Sequence, residues 1–423
     1  GKIGTFGGSQ AGFAQNFLAV TRPPHLVAQH MTDTGLSLYH EGYRIGGCDR
    51  PVRFKQMDSV CRVPQHNRLL VADWYRHPNY DDYWKAEDCV PHFNKMDVPC
   101  FTIGSWFDFM NVGSVESFIG RQHKGGERSR GKQQMIIGPW VHGGSWANSS
   151  KVGDLTYPEN SRFNVEEHVV RWFNHHLKGI ANGVDKDPTV RYYVMGAVDE
   201  PNAVGNQYRT ALDWPVPCKP TPYYLEAGGS LSATAPSIPD SSTSYKADPF
   251  KPASVGDNVR AFPGAKDAGL FEKQPNVLTF TTPVLSQPVE WTGKIVAELK
   301  VASDAPDTDF IVRISDVYPD GKSILLVDYI RRGRYRDGFE KDSFLKPGQI
   351  APITFDVGWI SQVFNKGHRI RVTVCSTATP FYEPNPNSAA PLSPEFPQDA
   401  RVATNTIFHQ AKAASRIIAP LRD

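Results

Sequence analysis

Apolar and polar positions follow two different rhythms along this chain, and the change between them falls near Asp187. Before it, short apolar runs alternate with segments whose apolar residues recur every three to four positions. The run from Lys2 to Phe6 passes through Gly7 and Gly8 into Gln10 to Val20. There Phe13, Ala14, Phe17 and Leu18 share one helical face, and Arg22-Pro23-Pro24 closes the helix. His25 to Met31, Val98 to Trp106 and Gln134 to Trp140 read as further strands, and Val112 to His123 and Arg162 to Leu177 as helices. Alternation of this kind implies a parallel sheet covered on both faces.

Between about Asp33 and Lys95 the rhythm is lost and aromatic residues gather (Trp74, Tyr75, Tyr80, Tyr83, Trp84), which predicts an inserted, mostly helical cap. After Asp187 come short β-rich runs: Val190 to Met195, Pro222 to Leu225, Asn276 to Thr281, Ile295 to Ser303, Phe310 to Val317, Ile324 to Arg331, Ile353 to Val357 and Arg369 to Cys375. Pro, Gly and Asp separate them, which predicts an antiparallel sandwich or jelly roll. Gly228 to Ser244 reads as a long surface loop. The expected division is an α/β domain from residues 1–32 and 96–187, a cap from 33–95 and an all-β domain from 188–423.

Composition narrows the function classes. The 423 residues are 40% apolar and carry a formal charge of +2, enough for two or three cored domains. Without a Lys/Arg-rich tract, nucleic acid and an anionic membrane surface are not expected partners. No apolar run approaches the ~18–20 residues that span a bilayer. The chain starts at Gly1 with no signal-peptide pattern, so its compartment stays open. Six cysteines lack CxxC spacing, which argues against a zinc cluster, and no motif suggests any other metal or cofactor. Four of them (Cys48, Cys61, Cys89, Cys100) permit one or two disulfides, with buried free thiols an equal alternative.

The candidate chemistry begins at Ser9, within Gly4-Thr5-Phe6-Gly7-Gly8-Ser9-Gln10-Ala11-Gly12. A strand, a glycine turn and a helix in that order form a nucleophile elbow, where small neighbours let a serine hydroxyl project from a tight turn. Serine needs a base, and the base an orienting carboxylate. Asp108 follows the strand ending Thr102-Ile103-Gly104, and His142 follows Met135-Ile136-Ile137-Gly138. Each alone is a weak signal, since residues after strands commonly serve turns; together the three stand in the order Ser, acid, His. His168, His175 and His176 fall on a predicted helix, where packing or solvation is the simpler reading, and Asp97 precedes its strand rather than following it.

These blocks, with Gly104-Ser105-Trp106-Phe107-Asp108 and Ile137-Gly138-Pro139-Trp140-Val141-His142-Gly143, resemble the catalytic blocks of the CocE/NonD hydrolases. That family includes cocaine esterase, α-amino-acid ester hydrolases, glutaryl-cephalosporin acylases and, more distantly, X-Pro dipeptidyl peptidases. Ser303 to Phe310, Ser315 to Gly321 and Phe364 to Ile370 resemble its C-terminal jelly roll; Asp304, Asp307 and Asp309 there are expected to make turns.

The resemblance implies an α/β-hydrolase domain, with cap and jelly roll, that cleaves a small ester or amide through Ser9, Asp108 and His142. It implies an oxyanion hole containing the backbone N–H of Gln10, and a bacterial-type protein, cytoplasmic or exported. The family's second oxyanion donor is a tyrosine from well upstream of the elbow, with no counterpart here. The expectation is therefore a companion polypeptide or missing segment that completes the sheet; a homo-oligomer also stays open. Trp106, Phe107, Phe109, Trp140 and Trp146 are expected around the acyl pocket. The ester hydrolases that bind a substrate ammonium place a carboxylate three residues after the serine, where this chain has Gly12. Asp81-Asp82 and Glu87-Asp88 offer another ammonium route, with a solvated helix face the simpler reading.

Overall fold

The computed structural model describes residues 1–50, 62–201, 203–256, 264–393 and 395–422. Its first sheet has six strands in the order β1 (Ile3–Gly8), β2 (Leu26–Thr32), β5 (Cys100–Ser105), β6 (Gln134–Gly138), β9 (Val190–Val194) and β10 (Gln207–Ala211). The first five strands run parallel and β10 returns antiparallel to β9. Small hairpins β3 (Arg44–Ile45) with β4 (Cys48–Asp49), and β7 (Lys151–Val152) with β8 (Leu155–Thr156), lie in the connections. β5 and β6 are buried at every position, which explains why they read as continuous apolar runs.

Helix α1 (Gln10–Thr21) follows β1. In the cap, α2 (Pro64–Arg76) and α3 (Asp82–Lys85) accompany a π-helical turn at Leu38–Tyr43. Helix α4 (Asn111–Lys124) follows β5, and α5 (Val165–Lys178) precedes β9. Asn164 caps α5 by accepting from Glu167 N–H at 3.1 Å, Glu166 and Glu167 lie in its first turn, and Gly179 ends it in the left-handed region.

The second sheet is twelve-stranded. It comprises β11 (Lys219–Glu226), β12 (Ser230–Ser232), β13 (Ser242–Ala247), β14 (Val277–Thr281), β15 (Val289–Ser303), β16 (Asp309–Val317), β17 (Ser323–Arg332), β18 (Ala351–Phe364), β19 (Arg369–Cys375), β20 (Ala403–Gln410), β21 (Ala413–Ala414) and β22 (Arg416–Arg422). A short helix, α6 (Gly269–Glu272), precedes β14. The long strands β15 and β18 pair antiparallel from Val289↔Phe364 to Val301↔Ala351, with a bulge at Ile295/Val296. Their alternate residues, among them Ile295, Ala297, Leu299, Ile353 and Phe355, join one core that continues to Trp106 after β5, Val115 on α4 and Tyr192 on β9.

The structure changes three readings. Val190 to Met195 reads as the first run of the β-rich part, and in the structure β9, followed by β10, extends the parallel sheet, so the strands of the second sheet begin after Ala211. Gly228 to Ser244 is not one loop, because β12 lies within it and β13 begins at Ser242. β20 and β22 have no counterpart among the predicted strands; both pair with β15.

The segment expected as a cap is tied to the second half of the chain. Tyr80 N–H donates to Phe339 O at 2.8 Å, Tyr335 Oη to Asn79 Oδ1 at 2.7 Å, and Arg332 N–H to Gly46 O at 2.9 Å. Asp307 and Asp309 do not make exposed turns. They are wholly buried and pair with Arg334 at 2.7 Å and with Arg332 at 3.0 Å on both arms. The Asp304 side chain instead makes a long-range contact, accepting Thr404 N–H at 2.8 Å.

Candidate active site

β1 runs out through two glycines into Ser9, whose φ of 56° and ψ of −124° lie where L-residues rarely sit. Such a conformation costs about 1–3 kcal/mol and persists only where the surroundings impose it. The end of β2 imposes it here: Ser9 N–H lies 3.0 Å from Thr32 O and 3.2 Å from Asp33 O. A Cβ on Gly8 would sit 2.8 Å from Thr32 O, and one on Gly12 2.5 Å from Thr34 Oγ1. Glycine at these two positions therefore answers the close approach of the Thr32 backbone and the Thr34 side chain. Gln10 is the first residue of α1, so its N–H has no acceptor within the helix and lies at the positive end of the helix dipole. Its side chain donates to Tyr43 Oη of the cap at 3.2 Å.

Parallel pairing of β5 with β6, ending at Ser105↔Gly138, brings the next two loops side by side. Phe107 N–H donates to Trp140 O at 3.0 Å and ties them together. One loop presents Asp108 and the other His142, whose Nδ1 lies 3.1 Å from both carboxylate oxygens. The Asp108 side chain is fully shielded and the imidazole 13% exposed, with Phe109 packed 5.1 Å from its ring. Among the described residues no hydrogen bond joins Ser9 Oγ to His142. Bonds of this kind commonly tighten only around bound substrate.

Sequence reasoning passes over Asp33, at the end of β2. Its buried carboxyl accepts Gly143 N–H at 2.8 Å on Oδ2 and Ser105 Oγ–H at 2.7 Å on Oδ1. Burial, reinforced by the neighbouring Asp108 charge, pushes its pKa up to about 7, against the opposing pull of His142 and both donors. The only available signal was positional: Asp33 follows its strand as Asp108 follows the next. Asp33, Asp108 and His142 each place one donor atom within 4.8 Å of the others, a spacing compatible with a cation. Protein hydrogen-bond donors already engage both Asp33 oxygens, so the arrangement fits a hydrogen-bonded cluster better than a metal centre.

The expected pocket residues divide. Trp106, Phe107 and Phe109 line a cavity of about 100 Å³ beside Asp108, together with Arg50, Val327 and Tyr329. Trp140 is instead core: wholly buried beneath Gly138, with its indole N–H donating to Ser161 O at 3.1 Å. Trp146 sits at the surface, 6.5 Å from the exposed ring of Phe6.

The other candidates are structural. His168 faces His30 at 3.2 Å, and burial lowers both pKa values, to about 4 and about 3. His175 and His176 lie half-buried on α5, and Asp97 binds Arg128 at 2.6 Å. Asp81 caps α3, Asp88 accepts from Tyr80 Oη at 2.5 Å and Val90 N–H at 2.7 Å, and Asp82 is exposed near Lys85. Cys48, Cys89, Cys100, Cys218 and Cys375 are free thiols; Cys61 lies outside the described residues.

Known proteins resemble this chain in sequence and in fold. Residues 182–418 match the X-Pro dipeptidyl-peptidase C-terminal non-catalytic domain, and residues 52–144 the X-Pro dipeptidyl-peptidase (S15) family. Cocaine esterase from Rhodococcus sp. (strain MB1 Bresler) is 31% identical over 363 residues, 82% of this chain and 60% of its own length. A putative serine esterase from Mycobacterium bovis is 29% identical over 57% of this chain and 40% of its own. The chain thus spans well under two thirds of these curated relatives. Among solved structures, an aminopeptidase from a marine-sediment Thaumarchaeota archaeon superposes on the whole chain with a TM-score of 0.87 at 22% identity, covering 77% of that protein. An α-amino acid ester hydrolase gives 0.84 at 21%, again over the whole chain and 77% of its own. The fold is theirs: an α/β-hydrolase sheet followed by a β-rich domain. Through residues 182–418 the chain belongs to the family of the X-Pro dipeptidyl-peptidase C-terminal non-catalytic domain, and over its whole length it shares its fold with a CocE/NonD family hydrolase from Staphylococcus aureus (TM-score 0.74, 19% identity, 72% of that protein).

Proposed function

We propose that the protein is a serine hydrolase that cleaves a small acyl ester through Ser9, His142 and Asp108. The observation that carries this is the paired grip of the buried Asp108 carboxylate on His142 Nδ1, 3.1 Å from each oxygen, beside a serine held in an elbow. With Nδ1–H donating to Asp108, Nε2 is left as the base. His142 takes the Ser9 proton as Oγ attacks the carbonyl carbon. The tetrahedral oxyanion collapses and expels the alcohol, which receives the proton from His142. Water then repeats the sequence on the acyl-enzyme. Gln10 N–H supplies one oxyanion donor, and such donors are worth about 3–4 kcal/mol each. The Phe107 and Phe109 side of the cavity suits an apolar acyl group.

The free edge of β1, with Ile3 and Phe6 55% and 59% exposed, supports a further proposal: additional strands, on a companion polypeptide or in the same protein, pair there. They are the natural source of the second oxyanion donor.

Turnover of p-nitrophenyl acyl esters, X-Pro-nitroanilides and glutaryl amides by the native protein and by Ser9→Ala tests the reading. Ester hydrolysis lost in Ser9→Ala supports it. Preference for either amide makes the protein a peptidase or acylase on the same triad. No turnover and no serine labelling makes it a catalytically silent relative whose jelly roll binds.

A further inference from the structure

We infer that Asp33 is a positioning residue of the active site: its carboxyl group pins the His142 turn against the Ser9 elbow, and its negative charge, when present, supports the imidazolium formed in turnover. The inference rests on the proposed triad.

Three contacts carry it. The main-chain carbonyl of Asp33 lies 3.2 Å from Ser9 N–H, its Oδ2 accepts from Gly143, the residue after His142, at 2.8 Å, and its Oδ1 accepts from Ser105 on the Asp108 strand at 2.7 Å. One residue thus touches all three segments that bear the triad. One of its carboxylate oxygens lies within 4.8 Å of an Asp108 oxygen and of a His142 ring nitrogen, close enough for its charge to act on the ring in a site shielded from water. The titratable groups facing it are Asp108 on the loop after β5 and His142 on the loop after β6; the elbow presents only the Ser9 backbone N–H.

Two carboxylates this close do not share one titration, and the raised member changes charge near neutrality. Below about pH 7 Asp33 is neutral and acts as a clamp alone. Above it, a second anion faces the imidazole, where stabilising positive charge in the transition state raises kcat.

The test is kcat for p-nitrophenyl butyrate across pH 5.5–9 in the native protein and in Asp33→Asn. Asparagine keeps an acceptor for Gly143 and a partner for Ser105 but cannot ionise. The expected ratio of native to variant kcat is near one at the acid end and ~10 at the alkaline end, with its midpoint near pH 7 and KM little changed. Ser105→Ala removes a donor that favours the ionised form, so it should move that midpoint to higher pH. A ratio that is the same at every pH, or an unmoved midpoint in Ser105→Ala, overturns the charge role. If Ser9→Ala retains full turnover, the triad itself is wrong and the Asp33 role falls with it; if Ser9→Ala is dead and the ratio is flat, only the Asp33 role fails.

Discussion

His142 and Asp108 meet across two adjacent strand ends, with Nδ1 3.1 Å from both oxygens of a carboxylate that solvent does not reach. A symmetric contact of this kind fixes the tautomer as well as the ring orientation. Asp108→Asn keeps the shape but presents the wrong hydrogen-bonding partner, so kcat should fall by ~10³–10⁴ with KM nearly unchanged. Steady-state kinetics on a p-nitrophenyl ester measure it. A loss under tenfold would show that Asp108 does not orient the base.

Gly12 stands where the resemblance to the α-amino-acid ester hydrolases would place an ammonium-binding carboxylate. A Cβ there would stand 2.5 Å from Thr34 Oγ1 and 2.6 Å from Thr34 Cβ, on a buried residue at the end of β2. Gly12→Ala should therefore destabilise by about 1–3 kcal/mol, as overpacking does elsewhere. Gly12→Asp should cost more and confer no preference for amino-acid esters. Urea midpoints and an amino-ester substrate panel give both answers; unchanged stability in Gly12→Ala would mean that Thr34 yields freely.

The elbow could be read in the sequence because crowding at the turn leaves small residues at Gly7, Ala11 and Gly12, where a Cβ on Gly7 would meet Ala11 Cβ at 2.8 Å and one on Gly12 Thr34 Oγ1 at 2.5 Å. Asp108 and His142 were legible for a similar reason, each following its own apolar strand. Asp33 was not, because its role depends on Gly143 and Ser105, 110 and 72 positions away. Trp140 and Trp146 flank His142 in sequence, but one turns into the core and the other to the surface, which spacing alone does not reveal. A short apolar strand such as β9 looks alike in either sheet, and its pairing with β6 depends on residues some 55 positions earlier.

Asp33 links the site to stability. Its folded-state pKa is raised to about 7 from an ordinary value near 3.8, so the folded protein holds a proton that the unfolded chain releases. The sign follows: the stability contribution is complete below about pH 4, declines as pH rises, and is lost above about pH 7. Asp33→Asn removes this dependence while retaining the hydrogen bonds. Relative to the native protein its thermal midpoint should rise between pH 4 and 7 and then level off. A difference that does not vary with pH would show that Asp33 ionises normally.

Arg332 and Asp309 form a buried two-armed pair that Asn385 joins at 2.8 Å. Removing one partner leaves an uncompensated charge, so Arg332→Met alone should cost about 3–5 kcal/mol, whereas Arg332→Met with Asp309→Leu should recover much of the loss. Chemical denaturation of the single and double variants decides it. Equal losses in both would assign the cost to packing instead of charge.

The central claim is that Ser9 is the nucleophile, and covalent capture tests it most directly. The native protein, incubated with a fluorophosphonate and analysed by intact mass and peptide mapping, should gain one adduct, on Ser9. The adduct should be absent in Ser9→Ala and form far more slowly in His142→Ala. An adduct on another serine, or equal labelling of Ser9→Ala, would contradict the account.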